Sequence, residues 1–151
     1  MHLEELTSPE LILPQLQVTE RNAALRALAR RIVELGHLED ADVLYDRLLE
    51  REELGSTAVG GGVAIPHCKM EGLSKVIMAV GITKKGIDFE AADGQPVRLL
   101  FAVVSPSNSP AAHLQCLAAI SKWVKVGDHI QGLFDLTDAD SIYERLRQPE
   151  D

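Results

Sequence analysis

Residues 60–69 read Gly60-Gly61-Gly62-Val63-Ala64-Ile65-Pro66-His67-Cys68-Lys69, and the rest of the chain is organised around them. Three consecutive glycines permit positive φ and close approach of a ligand or another chain, because no Cβ stands in the way. Val63, Ala64 and Ile65 make an apolar run of strand character. Pro66 brings no N–H to a ladder and fixes its own φ, so the strand is expected to end there, with His67 where the chain leaves the sheet. Taken alone, the stretch is equally a tight strand-to-loop turn that happens to carry a histidine.

Outward from this stretch the pattern is α/β. After a turn at Gly72, residues 76–83 form a nearly continuous apolar run, the mark of a strand covered on both faces. Lys84-Lys85-Gly86 reads as a turn, Ile87 to Phe89 as a short strand and Asp93-Gly94 as a hairpin signal. Val97 to Val104 reads as a second buried strand. On the N-terminal side, a leucine-rich lead-in precedes a helix expected over Thr19 to Leu35, with Thr19 as cap, Gly36 as stop and Leu25, Leu28, Ala29, Ile32 and Leu35 on one face. Arg26, Arg30 and Arg31 then belong to its solvated face. A second helix follows, with Asp40 as cap, Val43, Leu44 and Leu48 inward, Gly55 as stop and Arg51 near its end. Ser105 to Pro110 is a loop leading into a helix with Ser109 as cap and Pro110 at its first position. Leu114, Leu117, Ala118, Ser121 and Val124 mark its inward face, and His113 lies near its N-terminus. A last helix spans Ser141 to Leu146, capped by Asp138, and residues 147–151 are expected to fray. Helices bracketing strands predict a sandwich with a mixed central β-sheet flanked by helices.

With 151 residues, 46% of them hydrophobic, the chain suits one domain spanning 1–151. A net charge of -8, with fifteen basic residues scattered among twenty-three acids, excludes a clustered phosphate-backbone footprint and hence direct nucleic-acid binding. No apolar run reaches the length of a bilayer span. Residues 1–14, interrupted by Glu4, Glu5 and Glu10, lack the basic start of a signal peptide, so a cytoplasmic protein without membrane insertion is expected. Cys68 and Cys116 make neither a disulfide framework nor a metal knuckle and read as free thiols. His2, His37 and His129 read as solvent-facing, and Trp123, Phe134 and Tyr143 as packing residues.

The wording from Arg51 to His67, Arg-Glu-Glu-Leu-Gly-Ser-Thr-Ala-Val-Gly-Gly-Gly-Val-Ala-Ile-Pro-His, resembles the active-site segment of the mannitol/fructose-type IIA proteins of the bacterial phosphotransferase system, the nitrogen-regulatory branch included. Ser109-Pro110-Ala111-Ala112-His113-Leu114 resembles the segment that supplies that family's second active-site histidine. The resemblance runs from the first helix to the last and implies an α/β sandwich. It implies that His67 carries a phosphoryl group, that His113 hydrogen-bonds it or steadies the ring of His67, and that Arg51 stands beside them. Thr57 is then the candidate for a nearby hydroxyl, and Gly60, Gly61, Gly62 and Pro66 for the docking backbone. Ala58 departs from the family, where glycine is frequent. The implied donor is an HPr-type phosphocarrier. The implied acceptor is a sugar-specific IIB domain or none, the phosphate then being a regulatory mark, and the regulatory branch fits better. No cofactor is implied.

The residues support that chemistry independently. A neutral imidazole, with an unperturbed pKa of about 6.5, is a good nucleophile near neutral pH when one ring nitrogen is held and the other is free. Phosphoryl transfer needs mainly positioning and charge neutralisation, which an arginine fork and a helix N-terminus supply. No Gly-Lys-Ser/Thr motif or acidic metal pair points to ATP with magnesium. Two rivals stand beside this reading. One is a zinc site built from His67, Cys68, His113 and Cys116. The other is a binding module of the same fold that is never phosphorylated.

Overall fold

The computed structural model describes residues 2–148. Two short 3-10 turns, Leu3–Glu5 and Pro9–Leu11, precede β1 (Ile12–Leu13), α1 (Arg21–Glu34), α2 (Ala41–Glu53), β2 (Ala58–Gly60), β3 (Val63–Ala64) and β4 (His67–Met70). Then come β5 (Ile77–Ile87), β6 (Val97–Pro106), α3 (Pro110–Val124), α4 (His129–Phe134) and α5 (Ala139–Leu146). The strands form one mixed sheet in the order β1-β5-β6-β3-β2, and β4 lies further along β6 on the edge that β3 occupies. The antiparallel pair β5/β6 is its centre; β1 is parallel to β5, and β3 and β4 are parallel to β6.

From Leu99 to Val104 β6 is apolar without a break, and it is covered on both faces. Val97, Leu100, Ala102 and Val104 point into the layer of α1 and α2, with Leu25, Leu28, Ile32, Leu44 and Leu48. Leu99, Phe101 and Val103 point into the layer of α3, α4 and α5, with Ile120, Trp123, Leu133, Ile142 and Leu146. Burial of each such large side chain is worth about 1.5–3 kcal/mol, so both layers hold the central strands in place. Asp40 caps α2 by accepting from the N–H groups of Asp42 and Val43, and Asp138 caps α5 through Ser141, both as expected. Among the described residues no helix is long and apolar enough to cross a membrane.

Several local expectations are corrected. The lead-in contains β1, held by its parallel pairing to β5 at Val80 and Gly81. α1 starts at Arg21, and Glu20 occupies its N-cap without a side-chain bond, so Thr19 is not the cap. Val43 is exposed, because the inward stripe of α2 is Leu44, Tyr45, Leu48 and Glu52. Arg31 is tied down, its Nε donating to the carbonyl of Glu10 at 2.6 Å. Lys84-Lys85-Gly86 does not end β5. Pairing lapses after Ile82↔Leu99 and resumes at Ile87↔Val97, so the extra residues bulge out of a continuing strand, with Gly86 at φ +79°.

The buried face of α3 is His113, Cys116, Ala119, Ile120 and Trp123, one position round from the stripe expected; Leu114 is 67% exposed. Trp123 decides this rotation by packing edge-on to Phe101, with centroids 6.3 Å apart. His129 is buried rather than solvent-facing. Its ring stacks on Trp123 at 4.4 Å, and its Nδ1–H donates to the Trp123 carbonyl at 3.0 Å. Arg147 closes α5 and the Gln148 carbonyl accepts from the Trp123 indole, while residues 149–151 of the expected frayed tail lie outside the described residues.

Candidate functional site

Pro66 interrupts the strand track beside β6 without releasing the chain from it. Ala64 pairs with Leu100, the Pro66 carbonyl accepts from Val103 N–H at 2.9 Å, and His67 opens β4 opposite Val103. The expectation that the chain leaves the sheet at His67 is therefore corrected: the proline's missing N–H breaks the ladder, but its carbonyl continues it. This leaves His67 half-buried at a rigid step. Its Nδ1 stands 2.7 Å from the carbonyl of Ile65. A carbonyl can only accept, so Nδ1 carries the proton and Nε2 keeps a free lone pair.

Beside it, α3 delivers His113, only 5% exposed, with ring centroids 5.4 Å apart and planes tilted by 53°. His113 Nδ1 lies 2.6 Å from the hydroxyl of Ser105, itself fully buried near the end of β6. Pro110 takes the first position of α3 as expected, and Ser109 sits at the N-cap without a capping side-chain bond. Both rings border an open depression of about 460 Å³, together with Arg47, Arg51, Lys69 and the exposed Leu54 and Leu114. Arg51, in the last turn of α2, uses one guanidinium N–H on the carbonyl of Gly55 at 2.9 Å. Four of its five N–H groups are left for other acceptors.

Burial holds the pKa of His67 below the ordinary imidazole value, with Arg51 pushing the same way and the Ile65 bond and Glu52 opposing. Burial, then the charges of His67 and Lys69, lower that of His113. Both shifts favour the neutral imidazole. Burial pushes the Cys68 thiol up to about 12, so it is no thiolate at neutral pH. Among the described residues no group of three or more His, Cys, Asp or Glu side chains is placed to hold a metal ion.

Two groups of expected site residues stand elsewhere. Gly60, Gly61 and Gly62 turn the β2/β3 hairpin at φ of +91°, +66° and +84°, and Gly61 N–H donates to Asp93 at 3.0 Å. They border neither histidine. Thr57 is buried, and its hydroxyl donates to Glu52 Oε1 at 2.6 Å rather than into the depression, while its N–H donates to Glu52 Oε2 at 2.7 Å. Glu52 and Ser105 were not singled out from the sequence. The signal for Glu52 was there: it falls at i, i+4 and i+8 with Leu44 and Leu48 on the buried stripe of α2.

Residues 5–148 match the family model for the EIIA 2 component of the phosphoenolpyruvate-dependent sugar phosphotransferase system. The chain is 42% identical over 150 residues to a nitrogen regulatory protein of Bradyrhizobium diazoefficiens, covering 99% of this chain and 97% of that one. It is 32% identical over 146 residues to a fructose-specific EIIA component of Haloferax volcanii, covering 97% and 95%. The crystal structure of the nitrogen regulatory protein IIA-Ntr from Neisseria meningitidis superposes with a TM-score of 0.88 at 26% identity, over 95% of this chain and 98% of that one. A match that takes in both histidine segments and every layer of the sandwich settles the kinship: the chain belongs to the type 2 EIIA family of the phosphotransferase system.

Proposed function

We propose that this protein is a phosphocarrier in which Nε2 of His67 accepts a phosphoryl group from an HPr-type phosphohistidine protein, and that the phosphorylated state is a regulatory signal. The observation that carries this is the pinned Nδ1–H of His67, which leaves Nε2 free at an open depression beside His113 and Arg51. In the transfer, the P–N bond of the donor breaks as the bond to Nε2 forms. The electron pair returns to the donor's ring, and each ring keeps its second N–H, so no net proton changes hands. His113, with the Ser105 hydroxyl donating to its Nδ1, presents Nε2–H to a phosphoryl oxygen. Arg51 offers its remaining donors and offsets part of the charge.

Phosphorylation places close to two negative charges on a rim where Leu54 and Leu114 are exposed, which disfavours partners that dock through apolar contact. The 42% identity to a nitrogen regulatory protein, against 32% to a fructose-specific EIIA component, favours regulation over transport. The second reading, transfer onward to a sugar-specific IIB domain, draws on the latter similarity. The zinc rival draws no support from the described residues, among which no group of three or more His, Cys, Asp or Glu is placed to hold a metal ion.

The test is intact-protein mass spectrometry after incubation with phosphoenolpyruvate, Enzyme I and an HPr-type carrier. One acid-labile phosphoryl group is expected on the wild type and none on His67→Ala. An unmodified wild type with a competent carrier overturns the phosphocarrier in favour of a binding module. Loss of the label on adding a IIB domain shifts the role to transport.

A further inference from the structure

We propose that Glu52 is the positioning residue for His67, acting through a continuous line of hydrogen bonds that ends on the imidazole. The carboxylate accepts from Thr57 twice, from N–H at 2.7 Å and from the hydroxyl at 2.6 Å. The Thr57 carbonyl accepts from Ile65 N–H at 3.0 Å. The Ile65 carbonyl accepts from His67 Nδ1–H at 2.7 Å. Residues 57 and 65 face each other across the β2/β3 hairpin, where Ala58 pairs with Ala64, so the middle link is a sheet contact and not a flexible loop. The ring that is to receive the phosphoryl group is thereby referenced to α2, the helix that also carries Arg51.

A carboxylate accepts from both Thr57 donors as they stand. Glu52 is 3% exposed, and none of the ion pairs among the described residues includes it. Burying a carboxylate without a cation is unfavourable, and an apolar residue at this place on the inward stripe of α2 would pack with Leu48 at less cost. What an apolar side chain cannot do is take two donors of one residue at once. Glutamine could hold both contacts only with the Thr57 hydroxyl turned to accept from its NH2 group, whereas leucine, of similar volume, can accept from neither donor. A buried, unpaired carboxylate close enough to influence the charge state of a nucleophilic histidine marks a functional arrangement more than a stabilising one. The part of Thr57 is correspondingly indirect. It passes the constraint from Glu52 to Ile65, and its hydroxyl does not reach the phosphoryl group.

The consequence for transfer rests on the phosphocarrier reading, but the tautomer of His67 can be read in the unphosphorylated protein. The experiment is imidazole 15N NMR of the full chain, with labelling by a phosphorylated HPr-type carrier timed in parallel. Wild type is expected to hold His67 in the Nδ1–H form. Glu52→Leu, which takes the acceptor from both Thr57 donors, is expected to mix the tautomers and to slow labelling roughly 10-fold or more, with about 100-fold the scale of a misplacement near 1 Å. Thr57→Val keeps the backbone link and is expected to keep the tautomer and most of the rate. A folded Glu52→Leu protein with the wild-type tautomer and labelling rate overturns the proposal. So does a Thr57→Val variant that loses labelling while His67 keeps its tautomer, since that puts the hydroxyl on the phosphoryl group. If Glu52→Leu does not fold, Glu52→Asp, with both acceptors on a shorter arm, decides by the same tautomer ratio. A wild type that takes no label removes the phosphocarrier reading and leaves the tautomer comparison to judge Glu52.

Discussion

The strand track beside β6 starts at the Gly60–Gly62 turn and is interrupted at Pro66, where His67 resumes it. These two places, the glycine end and the histidine end of the segment between them, are held in opposite ways. At the glycine end, three consecutive positive φ values make the turn and the Asp93 carboxylate receives Gly61 N–H, so the constraint is backbone conformation. At the histidine end the backbone is ordinary and hydrogen bonds to the rings do the fixing: the Ile65 carbonyl and the Ser105 hydroxyl each hold one imidazole by its Nδ1. Stretches adjacent in sequence thus serve separate purposes, one closing the fold and the other exposing a nitrogen. Mutations at the two ends should therefore separate stability from chemistry.

The largest separation is expected from His67→Ala, which removes phosphoryl acceptance entirely while leaving the melting curve near that of the wild type. His113→Ala comes next. It should slow labelling of His67 by roughly 100-fold through loss of a donor beside the developing charge, without abolishing it, as rapid-quench timing of the label would show. An unchanged rate would remove His113 from the transfer step. At the other end, Gly62→Ala forces a side chain into φ +84° with its Cβ 3.4 Å from the Pro96 carbonyl. A loss of about 1–2 kcal/mol in denaturant unfolding is expected, with the labelling rate of the folded protein unchanged. A Gly62→Ala protein that is stable but slow to be labelled would mean that the hairpin meets the donor after all.

The layers were legible because their signals are local. An apolar run such as Leu99 to Val104 is informative about burial on both faces wherever it occurs, and Asp40 and Asp138 cap the helices that follow them. Features created by tertiary contact were not legible. Pro66 looked like a strand end because its missing N–H is visible in sequence, whereas the carbonyl it gives to Val103 is not. His129, beside Gly127 and Asp128, looked polar until Trp123 covered it. Of the site, the pairing of His67 with His113 came from family resemblance, since no periodicity links positions on β4 and α3. Glu52 was hidden in a run of charged residues, although its spacing from Leu44 and Leu48 marked it as inward.

The smallest expected effect is the dependence of stability on pH, and it again tells the two ends apart. Burial lowers the pKa of both His67 and His113; Arg51 adds to the first and Lys69 to the second, while Glu52 opposes on His67. Well above about pH 6.5 these histidines are neutral in native and unfolded chains alike, and their contribution is fully present. As pH falls below that value the unfolded chain binds protons that the native site resists. Stability is then lost progressively as the pH passes down through the lowered native values. Carboxylates held low by hydrogen bonds, such as Glu10 and Asp93, add their loss only in the range below their ordinary values of 4.5 and 3.8. Denaturant midpoints measured from pH 7 to pH 5 should therefore fall with acidification in the wild type and in Gly62→Ala by the same amount, the two curves running parallel. In His67→Gln with His113→Gln the fall should flatten. A double variant that keeps the wild-type slope between pH 6.5 and 5 would assign the acid loss to groups outside the depression, and the neutral histidine pair would then cost the fold nothing to maintain.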